Sequence, residues 1–319
     1  MVFGVDKGIR AKGTGHALPA PGPVGPPPGL GPPTEPPRPD QPKRLTMSFS
    51  FRLTAQQYDI LWEDGGLGRH PYPLRVRSHG ETMDERAEIR RRVYNQLAAS
   101  GLGDGIRANT EVEDALLMMA RPPLAVDMIW MTDLKEQGGH QALLVAGNGE
   151  VGYRVRGELG GGIRVEEIRA SSLVYSALAL LPEAPAASIP SVTLPMPAAE
   201  PRPAPTGRHR RDDEIDEDHS FLEQDRPRAA GAQSSAVRTL ERVFEKPRLR
   251  TGQIGITVRD RLGRTTKAPL IQWSDTEDGR IVNQVSESPN GRVANFFGAD
   301  HRRFAQKLGE AITALREGR

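Results

Sequence analysis

Leu143 to Val155 reads LLVAGNGEVGYRV, and Gly147, Gly149 and Gly152 within it spell G-x-G-x-x-G. A dinucleotide site needs a strand before those glycines and a helix after them, because the helix N-terminus holds the pyrophosphate. Here the residues after Gly149, Val151-Gly152-Tyr153-Arg154-Val155, alternate with the period of a strand. Asn148-Gly149 between two apolar runs is a hairpin signal, since both residue types tolerate the positive φ of a type I′ turn. The stretch therefore predicts an antiparallel hairpin and disposes of the nucleotide reading. Gly160-Gly161-Gly162, also between strands, falls to the same argument.

Outward from the hairpin the same period continues. Val126, Met128 and Trp130 alternate with Asp127, Ile129 and Met131, and further strands are expected over 141–146, 151–155 and 163–168. Their separators are turn-length, so neighbours should pair as an antiparallel meander. Helices precede it. Thr54 with Gln57 forms a capping box, with Leu53 and Tyr58 placed as a hydrophobic staple. Thr82 with Glu85 opens a helix carrying Ile89, Val93 and Leu97 on one face, and Thr110 with Glu113 opens a third, with Val112, Leu116 and Met119 inward and Pro122-Pro123 at its end. A helix over 171–181 closes the block.

The plan recurs downstream. Val237, Leu240 and Val243 mark a helix ended by Pro247; strands are expected over 254–258, 270–273, 281–285 and 293–297; a last helix, capped by Asp300, carries Phe304, Leu308, Ile312 and Leu315. The expected class is α+β: quasi-two-fold duplicated helix–four-strand meander–helix units, with the meanders joined in one sheet or packed side by side.

Two segments cannot build a core. Proline fills 12 of the 24 positions from Pro19 to Pro42, which favours extended, solvated backbone. Residues 1–46 are therefore expected to be a disordered tail, with Met47 the more natural start. Residues 182–232, a Pro/Ala stretch followed by RHRRDDEIDEDH at 208–219, are expected to be a solvated linker. The acidic run lacks the Gly and Glu positions of an EF-hand loop. Two ordered blocks remain, 47–181 and 233–319.

The pI near 9.0 invites a nucleic-acid reading, but six basic and three acidic residues lie in 1–46. Subtracting that +3 from the chain's +2 leaves −1 for 47–319, and with 5% aromatics this argues against a nucleic-acid surface. No apolar run reaches the roughly 20 residues of a membrane span, and the start has no signal-peptide core, so a cytoplasmic protein is expected. The absence of cysteine removes disulfides, thiolate nucleophiles and Cys-ligated zinc.

Catalytic motifs are also missing: G-x-S-x-G, the Walker loop and H-E-x-x-H do not occur. His70 and His79 share a loop but are expected as turn or surface residues, and Asp59, Glu63 and Asp64 as a solvated helix face. No catalytic residue, metal site or cofactor is expected. A small-ligand binder or enzyme on paired meanders is the competing class, with no lining residues that can be picked out.

The segment LTAQQYDILWEDGGLGRHPYPLRVRSHGETMDER, Leu53 to Arg86, resembles the N-terminal region of the EspG family of type VII (ESX) secretion-associated proteins of actinobacteria, most specifically through Leu61 to Leu74. The resemblance extends more diffusely over 47–181 and 233–319. It implies a central antiparallel sheet with helical bundles, and a cytosolic chaperone that binds the helical tip of a PPE-like or other helical-hairpin secretion substrate. Client contacts associated in that family with the sheet and C-terminal helical part implicate Trp273, Ile281, Phe296, Phe297 and Phe304 as partner-binding residues. Each of the five also reads as an ordinary core residue, and residue by residue the core is the favoured reading.

Overall fold

The computed structural model describes residues 49–132, 139–196, 235–289 and 291–318, all within the unit Met47–Arg319. The expected tail at 1–46 and the linker residues 197–232 lie outside the described residues.

Strand β1 (Ser50–Leu53) leads into α1 (Ala55–Asp64), α2 (Met83–Ala99) and α3 (Thr110–Ala120). Thr54 and Thr82 cap α1 and α2 with full capping boxes. The third cap is different: Thr110 is already helical and Asn109 is the N-cap, its amide donating to Gly101 O at 2.7 Å rather than closing the helix end. Strands β2 (Leu124–Met131), β3 (His140–Gly147), β4 (Val151–Gly157) and β5 (Ile163–Arg169) follow, then α4 (Leu173–Leu178). Beyond it come β6 (Val192–Pro195), α5 (Ser235–Phe244), β7 (Arg250–Arg259), β8 (Thr265–Lys267), β9 (Ile271–Thr276), β10 (Gly279–Ser288), β11 (Gly291–Gly298) and α6 (His301–Arg316), whose cap Asp300 accepts from Arg303 N at 2.8 Å.

Among the described residues the eleven strands form one sheet in the order β1-β5-β4-β3-β2-β7-β9-β10-β11-β6, with β8 beside β7, and every strand pair is antiparallel. The seam is β2·β7, with Leu124 opposite Val258 and Met131 opposite Thr251. From it β3, β4 and β5 run one way and β9, β10 and β11 the other, so the two meanders merge edge to edge. Among the described residues the helical cover is not repeated, since three helices precede the first meander and one the second.

The hairpin at Asn148-Gly149 is wider than a two-residue turn. Gly147 pairs with Gly152, Asn148 Oδ1 accepts the N–H groups of Glu150 and Val151 at 2.9 and 3.0 Å, and Gly149 has φ +101°. The flanking glycines serve packing. A Cβ on Gly147 would lie 3.2 Å from Leu173 Cδ1, and one on Gly152 3.1 Å from Ile168 Cγ1.

Alternation sends each strand's side chains to two faces. One face packs on α4 and α6 through Val126, Met128, Trp130, Ile254, Trp273 and Phe297. The other is covered in two places: α1, α2 and α3 pack on β3, β4 and β5, and α5 packs on β10 and β11 through Val237, Leu240, Ile281 and Phe296.

Residues 182–196, expected within the linker, are packed against the sheet. Ala187 and Val192 are buried, and β6 pairs with β11, Val192 opposite Phe296. The chain after α4 is pinned around Arg280, whose N–H donates to Pro185 O at 2.7 Å, whose carbonyl accepts from Ala187 N at 3.1 Å, and whose Nη2 donates to Pro182 O at 2.8 Å. A Cβ on Gly298 would sit 1.9 Å from Ala187 O, and one on Gly279 (φ +113°) 2.6 Å from Pro185 O. Small residues on both sides let two backbones touch.

Candidate functional site

The five residues expected to bind a partner are core residues. Trp273, Phe297 and Phe304 are buried in the layer under α4 and α6, and Ile281 and Phe296 under α5; none is more than 6% exposed. Adjacent Phe296 and Phe297 do point to opposite faces, but both faces are covered there. Arg303 lies 5.3 Å over the Phe297 ring, and Phe244 meets Phe296 edge-on at 5.7 Å.

The acidic cluster is not a solvated face either. Asp59 is buried, and it accepts from Arg86 Nη1 (2.9 Å) and Nη2 (3.2 Å), His79 N–H (2.8 Å) and His79 Nδ1 (3.1 Å). Glu63 pairs with Arg86, and Asp64 takes Arg90 Nε at 2.9 Å and Tyr94 Oη at 2.9 Å. These contacts lock α1 to α2 and to the loop between them. His70 stacks on Trp62 at 5.1 Å, and burial lowers its pKa against the opposing pull of the Asp59 charge. Burial opposes ionisation of Asp59, yet hydrogen bonds from Arg86 and His79 outweigh it and hold the carboxyl below its ordinary range. Its stabilisation is therefore present above pH about 4 and lost as pH falls below that. Arg86→Ala, which leaves Asp59 short of its main partner, is expected to lower stability by about 2–3 kcal/mol at pH 7 in urea unfolding, a margin that shrinks below pH 4.

A cleft of about 480 Å³ lies between α1 and α3, floored by Leu61, Leu67, Leu116 and Leu117. On its rim Asp64 is held by Arg90 and Tyr94, and Glu113 by Arg107 at 3.4 Å, so these carboxylates are not poised for acid–base chemistry. Among the described residues no group of three His, Asp or Glu side chains is placed to hold a metal.

Between the helical covers the second face is polar and only partly exposed, with Thr251 and Gln253 of β7 and Ser274 of β9 buried. The clusters under α1–α3 and under α5 include no residue of β7 or β9. Between them the register lines up Ile129, Gln253, Gln272 and Asn283 across β2, β7, β9 and β10. Asn283 Nδ2 donates to Gln272 Oε1 at 3.2 Å, and Gln253 Nε2 donates to Tyr72 Oη at 3.1 Å from the loop between α1 and α2. Beside this amide row stand Asp127 and Gly255, paired across the seam, and Leu270, which immediately precedes β9 and is 49% exposed. Ile129, Met131 and Val285 are partly exposed here. The result is a half-buried trough of amides and scattered apolar groups between the helical layers. Such a surface suits another protein's element rather than an enclosed small molecule. Sequence reasoning missed it because alternation identifies a face without revealing whether a helix covers it.

The EspG family model matches residues 54–310. No curated protein sequence matches the chain. Among solved structures the fold is similar to that of the Mycobacterium tuberculosis type VII secretion system chaperone EspG5, determined in complex with a PE25-PPE41 dimer. The TM-score is 0.54 at 14% identity, over 83% of this chain and 96% of that one.

Proposed function

Because the chain belongs to the EspG family, we propose that it is a type VII secretion chaperone that binds the helical tip of a PPE-like substrate, keeping it soluble in the cytoplasm until export. The observation that carries the reading is the half-buried trough between the helical layers, where Ile129, Gln272, Asn283 and Val285 are partly exposed beside exposed Leu270. An exposed helix tip supplies apolar side chains for the floor and end-of-helix backbone groups for the amides. Chaperoning requires no reaction, and among the described residues no helix is long and apolar enough to cross a membrane.

The test is co-expression of the full chain with a PE–PPE pair encoded in the same genome. A complex with one copy of each protein is expected by size exclusion with light scattering. Leu270→Glu is expected to weaken it at least tenfold, by calorimetry, while leaving the thermal midpoint within about 2 °C, because a half-exposed residue contributes little to the fold. If no PE–PPE pair forms a complex, the reading fails.

A further inference from the structure

Resting on the chaperone reading above, we infer that Asp127 sets the specificity of the trough by receiving a lysine or arginine side chain of the bound partner. Asp127 lies mid-strand on β2, beside the seam, opposite Leu144 of β3 and Gly255 of β7. A Cβ on Gly255 would come 2.6 Å from both carboxylate oxygens, so the carboxylate occupies room that only glycine leaves.

Around it stand neutral groups: Leu144 on β3, Gln253 and Thr257 on β7, and Ile129 on its own strand. The charged group acting on it is Lys267 of β8, beside Thr257, and no ion pair joins the two. Among the described residues no other side chain hydrogen-bonds to Asp127 or pairs with it. The other carboxylates deep in this fold behave differently: Asp59 holds Arg86, and Asp275 holds Arg280.

Burial pushes the Asp127 carboxyl up from 3.8 to about 6, with Lys267 opposing the shift. It is thus ionised at neutral pH at the expense of the fold. At pH 3.8 and below both folded and unfolded chains are protonated and nothing is lost; between 3.8 and 6 the unfolded chain ionises first and the folded state loses ground; above 6 the loss is complete. A residue that weakens its own fold and has no partner within it is the pattern of a binding group. A partner that covers the trough strips the remaining water from this carboxylate, which opposes docking unless a cation replaces it. A neutral or acidic tip is thereby rejected.

The experiment compares the wild type with Asp127→Asn in the full chain, against the same PE–PPE pair. In the free protein, Asp127→Asn is expected to raise the thermal midpoint at pH 7.5 and not at pH 4, which shows that the variant folds. Its affinity at pH 7.5 is expected to drop at least tenfold. Lys→Gln and Arg→Gln substitutions in the PPE tip are then scanned, and one is expected to cost tenfold or more against the wild type and almost nothing against Asp127→Asn. Equal binding by wild type and Asp127→Asn, or a scan in which every substitution acts equally on both, overturns the pairing while leaving the chaperone reading intact. Failure of the wild type itself to bind overturns both.

Discussion

Arg280→Ala is expected to lower stability by about 3–5 kcal/mol, measured by denaturant unfolding, because it leaves Asp275 buried without its main partner. Arg280 is fully buried, its Nε and Nη2 meet Asp275 Oδ1 and Oδ2 at 2.7 and 2.9 Å, and its guanidinium lies 4.7 Å over the Trp273 ring. The same side chain holds Pro182 O, so the variant also loosens the segment that carries β6. Arg250, 3.5 Å from Asp275, remains as a weaker partner, which favours the lower end of the range. Asp275→Ala in the Arg280→Ala background should restore part of the loss, since the orphaned carboxylate is then gone. Simple addition of the two single effects would show that the pair does not act as a unit.

Phe297→Asp is expected to unfold the protein rather than to weaken partner binding selectively. Phe297 is 6% exposed, opposite Val282 on β10 and packed in the layer beneath α6. Truncation of a buried Phe alone costs about 3–5 kcal/mol, and an unpaired carboxylate in its place adds to that. Far-UV and near-UV circular dichroism of the purified variant should show loss of tertiary signal at 25 °C. A folded Phe297→Asp protein with impaired partner binding would return this residue to the binding surface.

Sequence legibility follows the range of the interaction that decides each element. Capping boxes at Thr54 and Thr82, the Asp300 cap and the presence of a hairpin at Asn148-Gly149, though not its turn length, are settled by neighbours within four residues, and they read correctly. Strand β6 did not read, because Val192–Pro195 sits in a Pro- and Ala-rich run and its place depends on backbone approach to Gly279 and Gly298, about 90 to 110 residues away. Thr110 looked like a cap because its spacing to Glu113 imitates a capping box, whereas Asn109 turns the chain first. The aromatic residues chosen as partner anchors share the property that makes good cores, large apolar area, and burial claimed all of them. Asp127 was visible in the alternation of β2. Nothing local distinguishes a carboxylate on an open sheet face from one facing ordinary solvent, and only the glycine across the seam and the gap between the helical layers do so.

The placement of β6 also sets an order of events during synthesis. Its strand partner β11 and the glycines its leading segment presses against, Gly279 and Gly298, are translated up to about 100 residues after β6 leaves the ribosome. At roughly 5–20 residues per second the segment waits on the order of 5–20 s without a place to dock. The seam strand β2 waits for β7 in the same way, so the first meander emerges with its inner edge unpaired. A nascent chain of this kind depends on β7 reaching that edge before another strand does.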